Sequence, residues 1–208
     1  MPVTINGSTG ISGVDGSTGT PAIIGTDADT GLVFAAGQVT ASLNGTAANV
    51  ALVSGTAQNS TSGTSIDFTG IPSWAKRITV MFSGVSTNGS NLYQIRLGTS
   101  GGIDSTGYDS AASYGDNSGT YLVNSTTGFV PLPSSSAGAA SLAHGAFTIT
   151  NITGNTWIAF GNFSTVGSNS AAACAGTKTL SGILDRIRIT TVGSTDTFDA
   201  GSINIMYE

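Results

Sequence analysis

One histidine and one cysteine set the ceiling on nucleophilic chemistry in this chain. His144 would have to serve any Ser/His or Cys/His arrangement, which needs a base within hydrogen-bond reach of the nucleophile. It stands in Ala143-His144-Gly145, at the start of an expected strand and far from Cys174 in sequence, a context that reads as a turn or edge histidine. Cys174 lies in Ala171-Ala172-Ala173-Cys174-Ala175. With no second cysteine it reads as a small buried hydrophobe. A glycosidase needs two carboxylates across a groove. Asp104, Asp109 and Asp116 are close in sequence, but aspartates among glycines are turn formers. Asp27-Ala28-Asp29-Thr30-Gly31 opens like a calcium loop, yet Gly31 and Gln38 stand where oxygen ligands are required. Gly98-Thr99-Ser100-Gly101-Gly102 lacks the Lys-Ser/Thr ending of a phosphate loop. No catalytic constellation, metal site or cofactor site is expected, and the chain does not read as an enzyme.

The aromatic residues point elsewhere. Tyr108, Tyr114 and Tyr121 fall in or beside a long interval, Gly98 to Ser118, that is rich in turn formers and poor in alternation. Long irregular loops on a rigid scaffold commonly carry recognition. Tyrosine offers a large contact area at low entropy cost and a hydroxyl to hydrogen-bond. Tyr108, Asp109, Tyr114, Asp116 and Tyr121 are therefore the candidate recognition residues, of a kind suited to a saccharide or a protein surface.

The elements that must hold such a loop are strands. Gly, Ser, Thr and Asn fill nearly half of the 208 residues, charged residues are 8%, and Glu occurs once, at Glu208. A helical bundle needs Ala, Leu, Glu and Lys in quantity. Six basic residues against eleven acidic ones give no footprint for nucleic acid. From about Ser65 the apolar residues alternate. Ile78, Val80 and Phe82 share one face, as do Tyr93, Ile95 and Leu97, then Phe147 and Ile149, then Ile187 and Ile189 between arginines, and finally Ile203, Ile205 and Tyr207. Trp157 to Phe163 reads as a further strand, and Leu122-Val123, Phe129-Val130 and Leu180–Leu184 as short ones. Period two with one polar face marks antiparallel strands over a core. The expected fold is all-β: a jelly-roll-like antiparallel β-sandwich over residues 65–208. Ala137–Ala143 is the one stretch with room for a helical turn.

Residues 1–64 have a different texture, with Asp15, Asp27 and Asp29 as their only charges and Phe34 as their only aromatic. Short apolar runs at Ala22-Ile23-Ile24, Leu32-Val33-Phe34 and Val50–Val53 read as strands between tight turns. Such strands have little to bury against within one chain. This segment is expected to be a short β-rich shaft or attachment segment ordered by packing against copies of itself. The N-terminus shows no basic segment and apolar h-region, and no run reaches eighteen apolar residues. Synthesis in a cytoplasm, no membrane insertion and no glycosylation of the Asn-x-Ser/Thr sites are the expectations.

Two segments resemble a known family. Thr64-Ser65-Ile66-Asp67-Phe68-Thr69-Gly70-Ile71-Pro72-Ser73-Trp74-Ala75-Lys76-Arg77-Ile78-Thr79-Val80 is similar to the start of a C-terminal domain common in bacteriophage tail fibres. Asp196-Thr197-Phe198-Asp199-Ala200-Gly201-Ser202-Ile203-Asn204-Ile205 is similar to its end. Between them Ile95-Arg96-Leu97-Gly98, Gly107-Tyr108 and Asp185-Arg186-Ile187-Arg188 follow in the same order, more loosely. The resemblance implies a homotrimeric virion appendage, assembled in the host cytoplasm, that contacts a host-surface glycan or protein through the tip of its C-terminal domain. Residues 1–64 would then dock on a virion protein of the tail or the capsid. A tail fibre, a capsid head fibre and a decoration protein all use such a module, and a small polysaccharide depolymerase is the enzymatic alternative.

Overall fold

The computed structural model describes residues 52–132, 141–167 and 169–208, together with the backbone of four strands nearer the N-terminus. Those four are β1 (Ile23–Ile24), β2 (Gly31–Ala35), β3 (Gln38–Leu43) and β4 (Thr46–Asn49), paired in that order as one antiparallel sheet. The calcium-like stretch at 27–31 lies mostly outside the described residues, and so do 137–140 of the alanine-rich segment, whose end belongs to a strand.

The second compact unit runs from Val53 to Tyr207. Its strands are β5 (Val53–Ser54), β6 (Gln58–Asn59), β7 (Ser65–Thr69), β8 (Arg77–Thr87), β9 (Tyr93–Thr99), β10 (Gly102–Ile103), β11 (Tyr108–Asp116), β12 (Gly119–Ser125), β13 (Leu142–Thr153), β14 (Thr156–Val166), β15 (Ser170–Thr179), β16 (Arg186–Thr191) and β17 (Phe198–Tyr207). They form two antiparallel sheets packed as a sandwich. The smaller runs β10-β9-β16-β7. The larger runs β12-β11-β15-β14-β13-β8-β17-β5, with β6 also on β17. No α-helix occurs among the described residues; a 3-10 turn at Val192–Ser194 links β16 to β17.

The core forms where the alternation placed it. Ile78, Val80, Ile95, Leu97, Phe147, Ile149, Ile187 and Ile189 are all fully buried. Their outward neighbours are polar on the small sheet. Arg188 Nε and Nη2 bond both carboxylate oxygens of Asp67 at 2.7 and 2.6 Å across the β16–β7 pair. Leu180–Leu184, expected as a strand, is instead a connection whose two end leucines are buried. The chain bends at Ser181-Gly182, which interrupts any ladder there.

Three glycines on neighbouring strands each leave room for a ring. Gly145 stands opposite Phe163, and Gly161 opposite Phe147, across the β13–β14 pair. The Phe129 ring lies over Gly176 of β15. A glycine under a cross-strand aromatic lets the ring lie flat on the sheet and fill the core, which offsets the weak strand propensity of glycine. Phe147 and Phe129 also pack on each other, with centroids 5.5 Å apart.

Pairing starts at Val53, ahead of the expected boundary at 64/65. Ser54 pairs with Met206 and Gln58 with Ile203, so β5 and β6 cover the outer edge of β17. Ser60 donates through its N–H to Gly201 O at 2.9 Å and through Oγ to Ala200 O at 2.7 Å. Gln58 Nε2 donates to Asp67 O at 2.8 Å. Each bond is worth about 0.5–1.5 kcal/mol net. A chain lacking residues 1–52 is therefore expected to melt as the full sandwich does. One lacking residues 1–64 is expected to lose about 2 kcal/mol or more. Urea midpoints of the two truncations check this, and equal midpoints would show that β5 and β6 contribute nothing.

Candidate recognition hairpin

The interval expected as a long irregular loop is largely a strand pair. Tyr108–Asp116 is β11 and Gly119–Ser125 is β12, at the edge of the larger sheet, with Tyr114 opposite Tyr121 and Asp116 opposite Gly119. The turn is made by Asp116, whose Oδ1 accepts from Ser118 N–H at 2.7 Å and Gly119 N–H at 3.1 Å. An aspartate bonding its own chain two residues on replaces the backbone turn bond. Asp116 is thus a turn residue, and its carboxylate is partly used.

Alternation along β11 then separates the predicted residues. Tyr108, Ser110, Ala112 and Tyr114 point into the sandwich, while Asp109 is exposed on the opposite face. Tyr108 corrects the expectation most clearly: at 3% exposure it is a core residue. Its hydroxyl accepts from Leu97 N–H at 2.7 Å and lies 3.1 Å from Asp104 O, to which it donates. Burial raises its pKa well above the ordinary phenol value, with the Leu97 bond opposing. Lys178 completes this corner. Its ammonium sits 5.1 Å from the Tyr108 ring centroid, 3.0 Å from Asp104 Oδ2 and 2.8 Å from Thr106 O. A lysine drawn inward in this way needs all three partners to offset its lost hydration. Nothing in the sequence links Lys178 to Tyr108, because β15, small-residued on both faces, carries no alternation.

Tyr114 and Tyr121 do come together. Their rings stack at 4.7 Å with planes 14° apart. Tyr114 is buried and Tyr121 is 41% exposed. On the Tyr121 side of the hairpin stand Val123 and Asp116, with the exposed turn residues Asn117 and Ser118 beyond, while Thr120, Leu122 and Asn124 are exposed on the opposite side of β12. The hairpin therefore offers a ring held rigid from behind, beside the Asp116 turn and with no basic residue in either strand. This chemistry stacks on an apolar sugar face or a neutral peptide surface, and it has nothing with which to hold a phosphate.

Catalytic groups are not brought together. His144 Nδ1 accepts from Gly84 N–H at 3.2 Å, which places its proton on Nε2. Cys174 is buried as expected, its Sγ 3.5 Å from Gly161 O, and burial pushes its thiol up to about 12. His144 shares its cross-strand row with Ser164 and Ala171, three residues from Cys174 and so about 10 Å along the strand. Asp109 and Asp116 are separated by seven residues of one strand, about 23 Å. Asp104 is held by Lys178. Among the described residues no group of three or more His, Cys, Asp or Glu is placed to hold a metal ion.

The feature that sequence reasoning missed lies on the other side of the same strands. The outward face of the larger sheet carries Leu122, Ile158 and Phe160, all exposed, with Ala111, Ala173 and Ala175 between them. The signal was present in Trp157-Ile158-Ala159-Phe160, which is apolar at inward and outward positions alike. Comparison with protein-family models, curated proteins and solved structures finds no match to this chain.

Proposed function

We propose that this chain is a bacteriophage virion structural protein, a fibre of three copies that recognises a host-surface glycan or protein through the β11–β12 hairpin. The observation that carries the reading is the Tyr114–Tyr121 stack, which holds a partly exposed ring in place from behind at the edge of the sheet. A preorganised aromatic is the usual anchor of a binding surface, because little side-chain entropy remains to be lost. The resemblance of 64–80 and 196–205 to tail-fibre domains supports the same reading, and residues 1–52 supply the segment for docking on the virion.

The test is binding of the labelled protein to host cells and to a glycan array. Tyr121→Ala is expected to weaken binding about tenfold or more, some 1.4 kcal/mol, while the protein stays folded with a melting point lowered by the lost stack, about 1 kcal/mol. Unchanged binding by a folded Tyr121→Ala protein would remove the hairpin from the proposal. A second reading, a capsid head fibre or decoration protein with no receptor role, is favoured by the charge-poor apolar outer face of β11, β15 and β14. It predicts binding to virions and none to cells.

A further inference from the structure

We infer that the outward face of β11, β15, β14 and β13 is where a second copy of this chain packs, with Phe160 of one copy seated on the alanine floor of another. The inference rests on the fibre reading for the number of copies alone, and it names the contact that would join them.

The face has relief. Phe160 lies in one cross-strand row with Ala175 and Ala111, and Asn162 in the next with Ala173, Ser113 and Leu122. Phe160 is 54% exposed and Leu122 80%. Between these two ridges run two strands whose outward side chains are methyls and a hydroxyl, so the floor is a shallow trough. Hollows along it are lined by Ala111, Ala173 and Ala175. An outward sheet face in water ordinarily carries long polar side chains, and alanine is a poor strand former. Alanines facing out on adjacent strands gain nothing from water, but they allow a second sheet to approach closely.

Size and charge choose the occupant. Four strands about 4.8 Å apart and about 30 Å long make a face of roughly 570 Å². That is at the top of the range for patches on monomers and about 70% of the ~800 Å² per partner of a standard interface, so two such faces together clear the ~1,000 Å² minimum of a specific contact. Asp109, at one end of β11, is the only charged residue on the outward positions of β11, β15 and β14. Such a face cannot select a charged partner. It does carry its own complement, because ridge and floor lie side by side. The ridge of each copy reaches the floor of the next around a closed ring. Packing on the Leu122 side of β12 leaves the Tyr121 side uncovered, so assembly and recognition use opposite sides of one edge strand.

Solution mass by light scattering across a concentration series tests this on the full chain. The variants are Phe160→Asp, Ala173→Arg and, as a control on a different exposed hydrophobe, Ile183→Asp. All three sites point to solvent, and circular dichroism checks folding; Phe160→Ser replaces either interface variant that fails to fold. Wild type and Ile183→Asp are expected to run as multi-copy species, while Phe160→Asp and Ala173→Arg dissociate at concentrations at least thirtyfold higher than wild type. Folded interface variants that keep the wild-type mass would overturn the face and leave the three-copy fibre standing. A wild-type dimer broken by Phe160→Asp would uphold the face and overturn the three-copy fibre. A wild-type monomer at every concentration would overturn both.

Discussion

Between about pH 9 and pH 12 the sandwich is expected to lose a large part of its stability. Three buried acids are responsible. Burial pushes the Tyr93 phenol up to about 12 and the Cys174 thiol up to about 12, and it raises the Tyr108 phenol further. Each group is neutral in the folded chain at a pH where the unfolded chain has already released the proton. The unfolded state then binds fewer protons, so stability falls as pH rises. The loss begins at the unfolded value, near 9 for the thiol and 10 for the phenols, and ends at the folded one. One pH unit is worth about 1.4 kcal/mol per group. At about pH 11 the thiol and the two phenols together have cost several kcal/mol, on the order of 5. A domain is commonly stable by only 5–15 kcal/mol. Urea midpoints at successive pH values check the slope, and phenolate absorbance should rise together with unfolding. Cys174→Ala should flatten the curve between pH 9 and 10 and leave the steeper part above it. A midpoint that holds constant from pH 8 to 11 would mean that these groups meet water in the native state.

The second large effect is steric. Gly161→Val is expected to cost about 3–5 kcal/mol, enough to leave little folded protein. A Cβ at Gly161 would lie 2.5 Å from Ala146 O and 2.8 Å from Phe147 Cδ2. The carbonyl belongs to the β13–β14 ladder and cannot retreat without breaking it. The ring is fully buried and is held by Phe129. Phe147→Ala alone opens a cavity and is expected to cost a similar amount. The two changes together should cost less than their sum by at least about 1 kcal/mol, because the shortened side chain makes room for the valine. Strict additivity in this cycle would show that the carbonyl, and not the ring, dominates the clash.

How much of this was legible follows from side-chain size. β8, β9, β16 and β17 carry large apolar residues inward and polar ones outward, and their alternation reads directly. β15 does not, because Ala172 and Cys174 face the core while Ala171, Ala173 and Ala175 face out, so both faces look alike. β11 hides the same way behind Ser110, Ala111 and Ala112, which is why Tyr108 and Tyr114 passed for loop residues. The Tyr114–Tyr121 stack depends on cross-strand register, set by a turn whose governing bond is made by one aspartate oxygen. The residue types were visible, and the partner of each was not. The outer apolar face was hidden for a related reason: the core claims attention first, and apolar residues on both sides of β14 read as more core.

The place of β17 has a consequence for how this protein is made. It lies inside the larger sheet, with β8 on one side and β5 and β6 on the other, and Tyr207 is paired with Val53. The first and last segments of the unit thus meet, and long-range pairing of this kind is slow to form. A nascent chain in which β17 has not yet emerged has one edge of β8 open and leaves β5 and β6 without the strand they pair with. Until Phe198–Tyr207 emerges, that edge is an open strand template that any neighbouring polypeptide can pair with. Emergence of Phe198–Tyr207 is therefore the event that licenses the native sheet, and a copy cut short before it is left as a target for chaperones and proteases.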